Sequence, residues 1–150
     1  MQRNITNQKP LTLIVYTALF VVYIGLSSIY LFLPPLLGVL FVLFLKSMEQ
    51  KYILNTFLVI FCLLVFEAEK GYTLFTSIIF FILLYRFVIP KLNQNLSCKA
   101  CIVFLSVAMV YIGFYLFNLL LANIFLFPLP DMTYYVVYYI VIEYLIASLL

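Results

Sequence analysis

The chain has 150 residues, 68% of them hydrophobic and only 9% charged, with eight Lys/Arg against five Asp/Glu for a net charge of +3. An ordinary soluble domain is about 25% charged and at this size buries only about 70% of its extended surface, so this chain needs a bilayer as solvent. No histidine is present, three cysteines alone cannot complete a four-ligand zinc site, and the basic residues stand singly between apolar runs, which argues against metal, histidine-based and nucleic-acid chemistry.

Residues 1–10 (MQRNITNQKP) form a short polar tail. About 20 apolar residues cross the hydrocarbon core as a helix, and 11–33 is the first such run, closed by Pro34-Pro35. It is too long for a signal-peptide h-region and lacks a small-x-small site, so it reads as an anchor. The second segment, 36–50, reaches spanning length only if the helix continues through Lys46 to Gln50. A third, 52–66, ends at the cluster Glu67-Ala68-Glu69-Lys70-Gly71. The fourth, 72–89, stops at Pro90, and residues 91–99 (KLNQNLSCK) form a polar loop. The fifth, 100–127, is long enough to tilt. Pro128, Pro130 and Asp131 mark a turn before the sixth, 133–150. The expected fold is therefore all-α, one transmembrane domain of six spans, with helices 2 and 3 short.

Charge distribution sets the orientation. With the N-terminus in the cytoplasm, Arg3, Lys9, Lys46, Lys51, Arg86, Lys91 and Lys99 lie inside and only Lys70 outside, which favours N-in, C-in. A re-entrant hairpin over 36–66 keeps the other helices in the same orientation. It would also bury Lys46, Glu49 and Lys51 at roughly 2.5–3.5 kcal/mol each. Two short spans with snorkelling lysines cost less.

Candidate polar sites are few. Glu143 is the one charge well inside a span, and an intramembrane carboxylate is a functional-site hypothesis by default. Helical spacing puts it on a stripe with Tyr135 and Tyr139, while Tyr111, Tyr115 and Asn118 form a stripe on the fifth helix. Tyr115 and Glu143 fall at similar depths, roughly 15–17 Å below the outer boundary. The expectation is a buried, uncharged Glu143 hydrogen-bonded by Tyr115 or Asn118, serving packing, a partner or a proton relay. Glu67 and Glu69, at the outer end of the third helix, read either as a solvated turn or as a site for an extracytoplasmic partner. Cys98-Lys-Ala-Cys101 has redox spacing at a helix start, but lacks a thioredoxin-like context and reads as coincidence; Cys62 reads as a buried small hydrophobe. No phosphate-binding loop, H-E-x-x-H or Gly-rich cradle occurs, and no cofactor or catalytic residue is expected.

A helix ending in Leu33-Pro34-Pro35 leads into a short run (LLGVLFVLFL) and a polar turn (KSMEQK). A second short run (YILNTFLVIFCLLVF) then ends at Glu67, before Gly71 and a fourth span. Over roughly residues 30–90 this pattern resembles the MreD family, small multi-span subunits of the bacterial rod-shape machinery. The resemblance places Glu67 at the family's acidic position and Gly71 in its turn. It departs in having Glu for the usual Asp, no second glycine where Phe75 or a neighbour stands, and few small residues inside helix three. It implies a non-enzymatic scaffold in the bacterial inner membrane. Implied partners are an MreC-like single-span protein, the RodA-type glycosyltransferase and its penicillin-binding transpeptidase.

Three other classes compete. A vitamin-type transporter subunit would need convergent polar groups around a pocket and a small-residue face on the first helix, which TLIVYTALFVVYIGLSSIY lacks. A lipid-modifying enzyme would need paired carboxylates or histidines at one boundary. A generic accessory or immunity protein needs neither.

Overall fold

The structure, a computed structural model, describes residues 8–126, 128 and 134–150, with side chains from Leu11 onward. The described residues form six helices and no strand: α1 (Gln8–Ile29), α2 (Leu37–Gln50), α3 (Ile53–Lys70), α4 (Thr76–Asn95), α5 (Lys99–Phe125) and α6 (Tyr135–Leu149). Three of them, over Leu11–Ile29, Thr76–Asn95 and Lys99–Phe125, are long and apolar enough to cross a membrane. The expected turn residues Pro130 and Asp131, the basic Arg3 and the predicted starting residue Thr133 lie outside the described residues.

Four helix boundaries differ by four residues or more from those expected, each for a local reason. α1 ends at Ile29 rather than at Leu33, because the residue before a proline is steered out of the helical region, and Leu33-Pro34-Pro35 imposes this twice. The Tyr23 hydroxyl donates to the Pro34 carbonyl at 2.9 Å, so the segment after α1 folds back beside it by almost two turns. α3 continues through the acidic cluster to Lys70. It stops at Gly71, whose φ of 72° is open to glycine at little cost; the amides of Gly71 and Tyr72 both donate to the Glu67 carbonyl. Residues 72–75 form a turn, and α4 starts only at Thr76.

Pro90 does not stop α4 either. A proline inside an α-helix clashes with the carbonyl four residues earlier. Here Leu84–Val88 widens into a π-helical turn, with the Ile89 amide donating to the Leu84 carbonyl, and the helix carries on to Asn95. π-turns are one of the few ways a helix absorbs such an insertion.

α2, the shortest helix at 14 residues, is the centre of the molecule, packed against α3, α5 and α6. Leu37, Gly38, Val39, Leu40, Phe41 and Phe44 are all buried. Phe41 meets Phe81 of α4 edge-on at 4.9 Å between ring centroids, a favoured aromatic geometry. Phe66, Phe80, Phe114, Val107 and Val110 complete the core. α1 lies at the other extreme: it packs on α3, and only 11% of its apolar stretch is buried.

Candidate functional site

The first four amides of a helix lack intrahelical acceptors, and both α2 and α4 begin where those amides are buried. Neither has a capping side chain of its own. The residues before them, Leu36 and Phe75, take left-handed conformations with φ of 57° and 70°. That conformation costs a non-glycine residue about 1–2 kcal/mol. In both cases a glutamate from another helix supplies the acceptors.

At α2 the glutamate is Glu143 of α6, fully buried. Its Oε2 accepts the amides of Gly38 at 2.6 Å and Val39 at 3.3 Å. Its Oε1 accepts the Tyr111 hydroxyl from α5. One side chain thus ties three helices together. Glu143 stands eight residues into α6, about 12 Å from its start, and Tyr111 twelve residues into α5, about 18 Å from its start. The N-terminus of α2 therefore opens in the interior of the bundle. Three polar groups converge on its two oxygens, and the positive end of the α2 dipole faces it. The fit is tight: a Cβ on Gly38 would stand 2.8 Å from Glu143 Oε2 and 2.8 Å from Val107 Cγ1.

At α4 the glutamate is Glu67, also fully buried. Its Oε2 accepts the Phe75 amide at 2.7 Å and its Oε1 the Ser77 amide at 2.5 Å. The exposed-turn reading of Glu67 is thereby corrected, since the acid folds inward over the turn it terminates. Glu69 is exposed, and Lys70 donates to the Ser27 carbonyl at 3.3 Å, with burial lowering its pKa from the ordinary lysine value.

Tyr111, rather than Tyr115 or Asn118, is the partner of Glu143. Tyr115 is half-buried, and Asn118 donates back to the Phe114 carbonyl at 2.8 Å. Depth reckoned from a shared outer boundary misleads by one turn because α5, at 27 residues, is about 40 Å long and α6, at 15, about 22 Å. Tyr139 donates to the Leu31 carbonyl and stacks on Tyr135 at 6.3 Å. Three tyrosines, from α1, α5 and α6, thus surround the approach to α2. The backbone amides of Gly38 and Val39 are the part of the site that sequence reading missed. The signal for them was Pro34-Pro35, which ends one helix and leaves the next to begin inside.

Cys98 is the N-cap of α5, its Sγ accepting the Cys101 amide at 3.4 Å. The Cys101 thiol beside it lowers the Cys98 pKa. Both are exposed and Cys62 is buried.

Fold and site together define a small all-helical protein with the make-up of a membrane protein, the N-termini of α2 and α4 capped by carboxylates from other helices. No family model, curated protein or solved structure matches the chain.

Proposed function

We propose that the chain is a six-span, multi-pass protein of the bacterial cytoplasmic membrane with both termini inside, and that it serves as a non-enzymatic scaffold of the MreD kind in the cell-wall elongation machinery. The observation that carries this reading is the turn between α3 and α4. The residues on which the resemblance rests, Glu67 and Gly71, meet there in one motif, a buried acid capping the next helix across a left-handed glycine. Phe75, standing where or near where the family has a second glycine, adopts a left-handed backbone that glycine would take without strain. The two buried carboxylates hold helices in place rather than lining a cleft. The apolar face of α1 is open to a partner's transmembrane helix, which would dock by packing and a few hydrogen bonds. On this reading the partners are an MreC-like single-span protein, the RodA-type glycosyltransferase and the penicillin-binding transpeptidase.

The transporter alternative has less support. A buried helix N-terminus is where transporters seat anionic substrates, but at α2 the place is filled by Glu143.

The test is co-purification of the tagged full chain with an MreC-like partner, expected to be retained. Saturable uptake of a small ligand by reconstituted protein would overturn the scaffold reading. Reporter fusions at Gln50 and Gln94 should read cytoplasmic and those at Lys70 and Asp131 extracytoplasmic. An extracytoplasmic signal at Gln50 would sink the six-span topology.

A further inference from the structure

Between α4 and α5 the surface carries an apolar groove of about 340 Å3, walled by Phe80, Leu84, Phe87 and Val88 on one side and Leu116 and Phe117 on the other. Its floor depends on Gly113, over which the Phe80 ring lies so closely that a Cβ there would stand 2.8 Å from Phe80 Cζ. Its α4 wall includes residues of the π-turn. From Phe80 to Val88 the groove follows about 12 Å of helix, close to the half-thickness of a hydrocarbon core of about 30 Å. That is the length of one acyl chain within one leaflet.

The charge around the groove is one-sided. No Asp or Glu occurs from residue 71 to residue 130, a stretch that contains all of α4 and α5, yet it carries Arg86, Lys91 and Lys99. All three are exposed, and among the described residues none has an ion-pair partner. Lys91 follows Phe87 and Val88 by four and three residues, which puts it on the groove side of α4. Lys99 opens α5 at the same end of the helix pair. Arg86 sits within the π-turn but does not line the groove, its position two residues after Leu84 turning it to the other face of α4. Among the described residues no carboxylate pairs with these cations, which leaves them available to an anionic headgroup.

We propose that the groove is a binding site for an anionic phospholipid, one acyl chain lying between α4 and α5 and the phosphate held by Lys91 and Lys99. The site requires only that the chain lie in a bilayer and is independent of the scaffold role. A basic residue near a headgroup is worth about fivefold in lipid affinity, so two together make a preference that a direct comparison resolves.

The test uses the purified full chain in nanodiscs of equal phosphatidylglycerol and phosphatidylcholine, with lipids retained after mild delipidation counted by native mass spectrometry. The wild type should retain phosphatidylglycerol roughly tenfold or more over phosphatidylcholine. The double variant Lys91→Gln/Lys99→Gln should lose that preference while staying helical and monodisperse. Leu116→Trp, at an exposed wall position, should reduce retention of both lipids by filling the groove. Equal retention of the two lipids by the wild type would overturn the proposal. So would undiminished phosphatidylglycerol retention in Leu116→Trp, which would leave only a general attraction to surface lysines.

Discussion

Glu143 of α6 accepts the backbone amide of Gly38, the second residue of α2, at 2.6 Å across 105 positions of sequence. A helix whose start is withdrawn from water needs an acceptor for its first amides, and Leu36, which precedes α2, has no side chain that can supply one. The glutamate does so from another helix, while the Tyr111 hydroxyl completes its other oxygen.

Replacing Glu143 separates its shape from its charge. Glu143→Leu leaves the Gly38 and Val39 amides and the Tyr111 hydroxyl buried without partners and should cost about 2–4 kcal/mol. Glu143→Gln keeps a carbonyl toward α2, and its amide can donate to Tyr111, whose hydroxyl turns to accept. It should lose only the interaction with the helix dipole, about 1 kcal/mol. Thermal unfolding in detergent should rank wild type above Gln above Leu; equal loss in both variants would remove the capping role.

The same substitution should behave differently at Glu67. Both of its oxygens accept backbone amides, from Phe75 and Ser77, and an amide cannot turn round. Glu67→Gln must point its own NH2 at one of them and should therefore destabilise more than Glu143→Gln, by about 2 kcal/mol. If the Glu67→Gln variant melted at the wild-type temperature, the turn would not depend on the carboxylate.

Gly38→Ala forces a methyl against Glu143 and Val107 and should cost about 1–3 kcal/mol by overpacking. Combining it with Val107→Ala should recover part of the loss, measurable as non-additivity in a double-mutant cycle. Strict additivity would place the strain elsewhere.

At Phe75 the expected change is a gain. The side chain is more than half exposed and the backbone is left-handed, so Phe75→Gly should raise stability by about 1 kcal/mol. The same exchange at Ile79, exposed but in mid-helix, should lower it by a similar amount. A loss at both positions would mean that the Phe75 ring contributes more than its backbone costs.

Thiol labelling should follow position. Cys98 is exposed and its pKa lies below the ordinary thiol value because the Cys101 thiol hydrogen-bonds it, so a larger fraction is thiolate near neutral pH. Iodoacetamide should modify Cys98 first, more slowly as pH falls, and Cys62 only after unfolding. Early labelling of Cys62 would contradict its burial in the core.

The all-helical fold, the number of long apolar segments and the burial of Glu143 were legible in the amino-acid sequence because they rest on local quantities: the length of uncharged runs, the proline pair and a carboxylate among apolar residues. Which groups Glu143 and Glu67 would meet was not legible. The Tyr111 pairing depends on how far a 27-residue helix overshoots its 15-residue neighbour, and the passage of α4 through Pro90 depends on a π-turn that no periodicity announces. The caps belong to the tertiary structure most of all. An orphan amide at the start of a helix has no signature of its own, and its acceptor is chosen by whichever helix the bundle brings alongside, ten residues away for Ser77 and 105 for Gly38.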